Sequence, residues 1–344
     1  MLRTLSIVIL LTSASLSSAR AEERNAAPPI KVAVERSLAL IQKSLTEYPR
    51  HATCFSCHHQ GMGVFTLALA RSNGYASAVD SKVVDAVILH TTTDLKTGLE
   101  AYRKGTGQPG GVTRAGYALF ALQSGAAKRD ENTSAVTGYL LEHQKTQDFW
   151  HSPSNRPPSE ASAFTDTMLV IHALKSYAED VQKETVKSRL ERARKWLEQT
   201  PAKDTEDRVF RLWGLAESGS DSKEIQKAVQ ELIAQQREDG GWCQLPGVDS
   251  KQPGGASDAY ATGSVLTVLR IAGGLSPQDP NVQRGSQYLL RTQLPDGSWH
   301  VVSRSKPFQP YFESGFPHGM DQFVSMAATS WATSALILTG ERTP

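Results

Sequence analysis

One contrast recurs along this chain and leaves little choice of fold. The stretches "MGVFTLALARSNG", "RAGYALFALQSG", "FTDTMLVIHALKSY", "EDRVFRLWGLAESG", "ATGSVLTVLRIAGG" and "MAATSWATSALILTG" are apolar nearly all round. A helix without a polar face has to be buried on every side. Between them lie "IKVAVERSLALIQKSL", "SKVVDAVILHTTTDLKTGLEAY", "SAVTGYLLEHQK", "TVKSRLERARKWLEQT", "SKEIQKAVQELIAQQ" and "PNVQRGSQYLLRTQ", with apolar residues three and four apart and charges opposite. That spacing predicts half-exposed helices. One buried and one amphipathic helix, alternating six times at intervals of about 40 to 65 residues, is the signature of a repeat architecture. The arrangement that buries six helices and half-buries six is an all-α double ring, an inner barrel of helices inside an outer one. No hairpin dipeptide sits between alternating β-rich runs, so strands are not expected.

The connections are unequal. Inner-to-outer connections are short, whereas outer-to-inner ones such as "TEYPRHATCFSCHHQG", "RKGTGQPGGV" and "DFWHSPSNRPPSEAS" are long and rich in Gly, Pro and aromatics. In a double ring these loops emerge at one end, where binding and chemistry are expected. The 37 basic and 35 acidic residues are interspersed, leaving a net charge of +2 and no basic stripe for nucleic acid. Three cysteines are too few for a disulfide-stapled scaffold, so the core must hold the fold. The N-terminus carries Arg3, an apolar run from Leu5 to Leu11 and Ala19-Arg20-Ala21. It reads as a secretory signal peptide, residues 1–21, leaving 22–344 as a single toroid domain exported to the periplasm or the extracellular space. No later stretch reaches the roughly 18 to 20 apolar residues that a membrane-crossing helix needs.

Two of the loops carry a motif. "QREDGGW" (Gln236, Asp239, Gly240, Trp242) and "QLPDGSW" (Gln293, Asp296, Gly297, Trp299), with a looser copy "QKTQDFW" (Gln144, Asp148, Trp150), resemble the glutamine and tryptophan repeat of the squalene and oxidosqualene cyclases. That superfamily is shared with protein prenyltransferase β-subunits. The resemblance covers most of the chain after the leader and implies an (α/α)6 toroid of six inner and six outer helices. It also implies that each Gln caps a helix end and packs on a neighbouring Trp, tying the ring together. The motif specifies fold rather than function, because one fold hosts unrelated chemistries.

Similarity to the squalene-hopene cyclases implies a second expectation, protonation of an alkene by an Asp-rich DxDD segment at the start of an inner helix. Here "DTED", Asp204 to Asp207, opens the fourth inner helix, with Glu206 where the family's proton donor would sit. A carboxylic acid does that work only if apolar surroundings and a neighbouring carboxylate raise its pKa. Arg208 and Arg211 would lower it if they face the same way, and acidic residues in a first turn also serve as caps and partners of the helix dipole. A terpenoid cyclase-like lyase or isomerase using Asp204, Glu206 and Asp207 is therefore one reading. Prenyltransferase chemistry would need an Asp-x-Cys spacing, which Cys243 and Asp258 lack, and "SDAYATG" makes Asp258 an N-cap.

The leading expectation rests on "TCFSCHHQGM", within the loop 51–62. "CFSCH" matches the C-x-x-C-H pattern in which two thiols, Cys54 and Cys57, add to the vinyl groups of haem c and His58 ligates the iron. Ring closure sets the last unit's "FPHGMDQ" beside this loop, so Met320 or His318 would be the distal ligand, with Met62 and His59 behind them. The implied function is electron transfer or haem-dependent redox chemistry near an apolar cavity, with a redox partner protein or a hydrophobic small molecule as partner. Zinc, or a Cys54–Cys57 disulfide on a non-enzymatic scaffold, remain open alternatives. His143, His151, His172 and Cys243 read as structural. Phe308, Tyr311, Phe312 and Phe316 would wall the haem or roof the cavity.

Overall fold

A computed structural model describes residues 28–307 and 310–340. The expected leader, residues 1–21, lies outside the described residues. The inner helices are α2 (Cys57–Ser72), α5 (Gly111–Ser124), α7 (Ala163–Tyr177), α9 (Thr205–Ser218), α11 (Ala259–Ile271) and α13 (Gln322–Thr339). The outer ones are α1 (Ile30–Glu47), α3 (Ser81–Thr97) with the short α4 (Leu99–Arg103), α6 (Glu131–Glu142), α8 (Lys183–Gln199), α10 (Ser222–Ile233) and α12 (Pro280–Thr292). Among the described residues there is no strand, only two isolated bridges.

Burial follows the periodicity. Every residue of α11 from Ala259 to Leu269 is buried, whereas α10 buries only Ala228, Val229 and Leu232. Each inner helix packs on the next, from α2 through α5, α7, α9 and α11 to α13, which returns to α2 and closes the ring. α11 and α13 approach closely at Gly263, where any side chain would meet the α13 backbone at Ala332, 2.5 Å from an added Cβ. Capping fixes where the helices begin: Ser162, Asp204, Asp221, Asp258 and Asp279 each accept a first-turn N–H through their side chains.

The glutamine and tryptophan motif ties units together. Trp150, Trp242 and Trp299 each donate an indole N–H to a carbonyl ten residues back on the preceding outer helix, at Leu140, Leu232 and Leu289. Their backbone N–H groups donate to Thr167, Thr262 and Thr329 on the following inner helix. Gln236 then reaches the Asn281 carbonyl on the next outer helix at 2.9 Å, and Gln293 reaches Ala33 on α1 at 2.9 Å. Gly240 and Gly297 hold positive φ against Arg284 and Arg36 of those same neighbours, where a Cβ would strike backbone. The looser third copy works differently. Gln144 bonds only within its own loop, to His151, and Arg189 of α8 supplies the tie by stacking over Trp150 at 4.1 Å and donating to the Gln144 and Gln147 carbonyls.

Two local expectations fail. The second outer helix is broken at Gly98, where a Cβ would fall 2.3 Å from the Gln108 side chain. The fourth outer-to-inner connection is short, residues 200–204, so the loop-rich end is uneven around the ring.

Candidate functional site

All six inner helices begin at the loop-rich end, and two groups of polar side chains sit there. The first is a cavity of about 580 Å³ at the mouth of the ring. Tyr48, Phe55, Phe312 and Phe323 give it aromatic walls and Pro157, Pro158, Pro307 and Pro310 line its rim. Cys54, Cys57 and His58 of the first unit face the same space as Met320 and Asp321 of the last. Its polar side is an ion cluster. The His58 Nδ1 lies 2.9 Å from Glu160 Oε1, Arg156 pairs with the same carboxylate, and Ser154 donates to Oε2 at 3.4 Å. Although Glu160 is buried, these partners hold its carboxyl below the usual range, so it is ionised at neutral pH.

The second group lies deeper, around the first turn of α9. Asp204 caps that helix, accepting from the Asp207 N–H at 3.0 Å, and Asp207 accepts from the Ser162 hydroxyl at 2.6 Å and the Lys203 N–H at 2.9 Å. Glu206 is different. Its Oε1 receives the hydroxyls of Thr165 at 3.1 Å and Tyr260 at 3.3 Å, while the buried Oε2 has no hydrogen-bond partner among the described residues. Burial first, and then the charge of Asp204, push this carboxyl well above the ordinary range. The arginines that could have offset this turn away, Arg208 to the Asp204 carbonyl and Arg211 to Glu231. Tyr117 links the two groups. Its hydroxyl donates to the Ser159 carbonyl on the cavity wall, and its own pKa is raised by burial and by the charges of Glu206 and Glu160. On the inner helices Phe65, Phe120, Phe210, Trp213 and Trp331 pack against one another, with centroids 5.3 to 6.2 Å apart.

The remaining residues singled out from sequence scatter. His59 is buried with Nε2 on the Ser44 hydroxyl, 2.9 Å away, and burial pushes its pKa down to about 3. Met62 and Phe316 are core. His318 binds Ser298 through Nε2 at 2.8 Å and stacks on His300. His172 bridges Glu217 and Gln123, His143 packs on Tyr139, and His151 stands 3.8 Å from Asp166. Cys243 is buried, Tyr311 is on the rim, and Phe308 lies outside the described residues. Sequence reasoning missed Glu160, Arg156, Thr165, Tyr260 and Tyr117. Glu160 stands 102 residues from His58 in the chain and belongs to no motif.

Residues 207–336 match the squalene-hopene cyclase C-terminal domain. No curated protein matches the chain by sequence. Among solved structures, that of a protein from Actinoplanes is 14% identical, covering 90% of this chain and 99% of its own, with a TM-score of 0.56. The type II terpene cyclase MstE from Scytonema is 14% identical in its apo form, covering 90% of this chain and 97% of its own, with a TM-score of 0.53. A variant of MstE in complex with geranylgeranyl dihydroxybenzoate, its substrate, aligns with a TM-score of 0.54 at 14% identity over the same shares.

These findings overturn the leading expectation, a covalent haem c serving electron transfer. The matches favour the alternative, cyclase-like reading, and His58, named for the iron, is held by Glu160. Among the described residues no group of three or more His, Cys, Asp or Glu side chains is placed to hold a metal ion. His318 is committed to Ser298, and Met320 is 61% exposed. Cys57 is only 8% exposed, and burial raises its thiol pKa, which disfavours the reactive thiolate. Among the described residues no helix is long and apolar enough to cross a membrane. Inner barrel, outer barrel, closing motif and sequence match agree: the chain is a squalene cyclase-like α/α toroid.

Proposed function

We propose that the protein is a cyclase-like isomerase or lyase that protonates an alkene of a prenyl chain, with Glu206 as the acid. The observation that carries this is the unpartnered Oε2 of a buried carboxyl whose pKa is raised by burial. A carboxyl whose pKa is raised in this way holds its proton more firmly than an exposed one, and no described group bonds to its Oε2. Thr165 and Tyr260 fix its other oxygen, so the group is already oriented before any substrate arrives. Transfer of that proton to a trisubstituted alkene leaves a tertiary carbocation. The faces of Trp331, Trp213 and the neighbouring phenylalanines suit such a cation, since aromatic faces attract positive charge by about 0.5 to 2 kcal/mol each. The similarity to MstE, whose substrate bears a geranylgeranyl chain, supports the same substrate class. With the leader removed, the enzyme would act outside the cytoplasm.

Incubating the exported protein with geranylgeraniol or squalene and following products by gas chromatography tests the reading. Glu206→Gln keeps the shape and removes the transferable proton, so turnover should fall by about 10²-fold or more. Undiminished turnover by that variant would remove Glu206 as the acid. Absence of turnover in the unaltered protein on both substrates would remove the function.

A further inference from the structure

A carbocation made by an acid has to be discharged, and the cavity wall holds a group suited to that. We infer that His58, oriented by Glu160, is the base that ends the reaction by taking a proton from the final cation; this rests on the prenyl-protonating function proposed above. Three observations converge. His58 is in the first turn of α2 and its side chain, 17% exposed, faces the cavity. Its Nδ1 is 2.9 Å from a carboxylate that is ionised and itself anchored by Arg156 and Ser154, and an ionised carboxylate can only accept. The ring proton therefore sits on Nδ1, and Nε2, which has no partner among the described residues, presents its lone pair to the cavity.

The cycle balances without any co-reactant. Glu206 gives its Oε2 proton to one alkene carbon, and the electron pair of a second alkene closes a carbon–carbon bond onto the resulting cation. A carbon–hydrogen bond next to the last cationic carbon then breaks. Its proton goes to His58 Nε2 and its electron pair forms the new alkene. The imidazolium is stabilised by Glu160, and solvent at the mouth returns the proton count to the start. The net reaction is an isomerisation. Glu160 is a positioning residue here, since it reaches the substrate only through the imidazole.

Without the base, water captures the cation and the product is an alcohol instead of an alkene. His58→Ala should thus lower the ratio of cyclic alkene to cyclic alcohol at least tenfold, whatever its effect on the rate at which geranylgeraniol is consumed. Glu160→Gln should shift the ratio the same way, and Glu160→Asp should restore part of it, which a purely structural loss would not do. Circular dichroism establishes that each variant is folded, and His58→Gln substitutes if the alanine variant is not. An unchanged product ratio in a folded His58 variant that still consumes substrate would overturn this assignment and leave the acid standing. Lack of turnover in the unaltered protein would overturn both.

Discussion

Trp299→Ala is expected to cost this protein a large share of its stability. The indole is 2% exposed, and its N–H donates to the Leu289 carbonyl at 3.0 Å. Emptying such a site costs about 3 to 5 kcal/mol. Losing the indole bond adds roughly 0.5 to 1.5 kcal/mol, since the Leu289 carbonyl keeps the Gln293 N–H at 3.1 Å. Set against total stabilities of about 5 to 15 kcal/mol, this is enough to bring the folded state near its limit. Urea denaturation followed by far-ultraviolet circular dichroism should show a midpoint shift of that size. Trp299→Phe, which fills most of the volume without the N–H, should cost on the order of 1 to 2 kcal/mol. A change below about 1 kcal/mol in the alanine variant would mean that the indole is not what holds the loop between α12 and α13.

The second large effect is a dependence on pH that travels with one side chain. Asp166, in the first turn of α7, is buried and receives the Thr113 hydroxyl at 2.6 Å and the Ser152 N–H at 2.8 Å. His151 stands 3.8 Å away, and Glu160 adds an unfavourable charge. Burial dominates and pushes the carboxyl from 3.8 up to about 7. Between those values the folded protein keeps a proton that the unfolded chain has released. Stability is therefore lost as pH rises through this window, and above it the loss is complete, at about 4 kcal/mol. Asn at this position keeps the shape and has no charge to bury. Relative to the unaltered protein, Asp166→Asn should already be more stable by about 1.6 kcal/mol at pH 5 and by about 4 kcal/mol at pH 8, measured by urea denaturation across the range. Asp258, pushed up to about 6, acts with the same sign, and His59, pushed down to about 3, acts with the opposite sign. Both are present in the two proteins and cancel in the difference. A difference that stays flat from pH 5 to pH 8 would show that Asp166 ionises normally.

The helix alternation was legible because burial on all sides leaves a mark in every residue, as in "ATGSVLTVLR", whereas half-burial leaves it in every third or fourth. The motif glutamines and tryptophans were legible because each acts across a short, fixed spacing to a helix end. The mouth of the ring was not. His58 finds Glu160 only after the chain has gone most of the way round two further units, and no local pattern encodes that meeting. The same limit misled the haem reading. Cys54, Cys57 and His58 form a tight pattern along the chain, but what each meets is set by the fold: Glu160 holds His58, and Cys57 is only 8% exposed. Glu206 lay between the two cases. Its position was visible in "DTED", while the direction of its neighbours Arg208 and Arg211, on which its acidity depends, was not.

The join between the sixth unit and the first is a clasp made by groups 260 to 296 residues apart in the chain. Gln293 reaches Ala33, Thr333 reaches Ser37, Ser44 reaches the Ser314 carbonyl and Thr66 reaches Ser330. The cavity at the mouth lies across this clasp, with Tyr48 to His58 on one side and Ser303 to Val324 on the other. A molecule seated there touches both halves, and in binding it fastens the ring shut. Occupancy and closure are thus two descriptions of one equilibrium, and whatever loosens the clasp also loosens the hold on what it encloses.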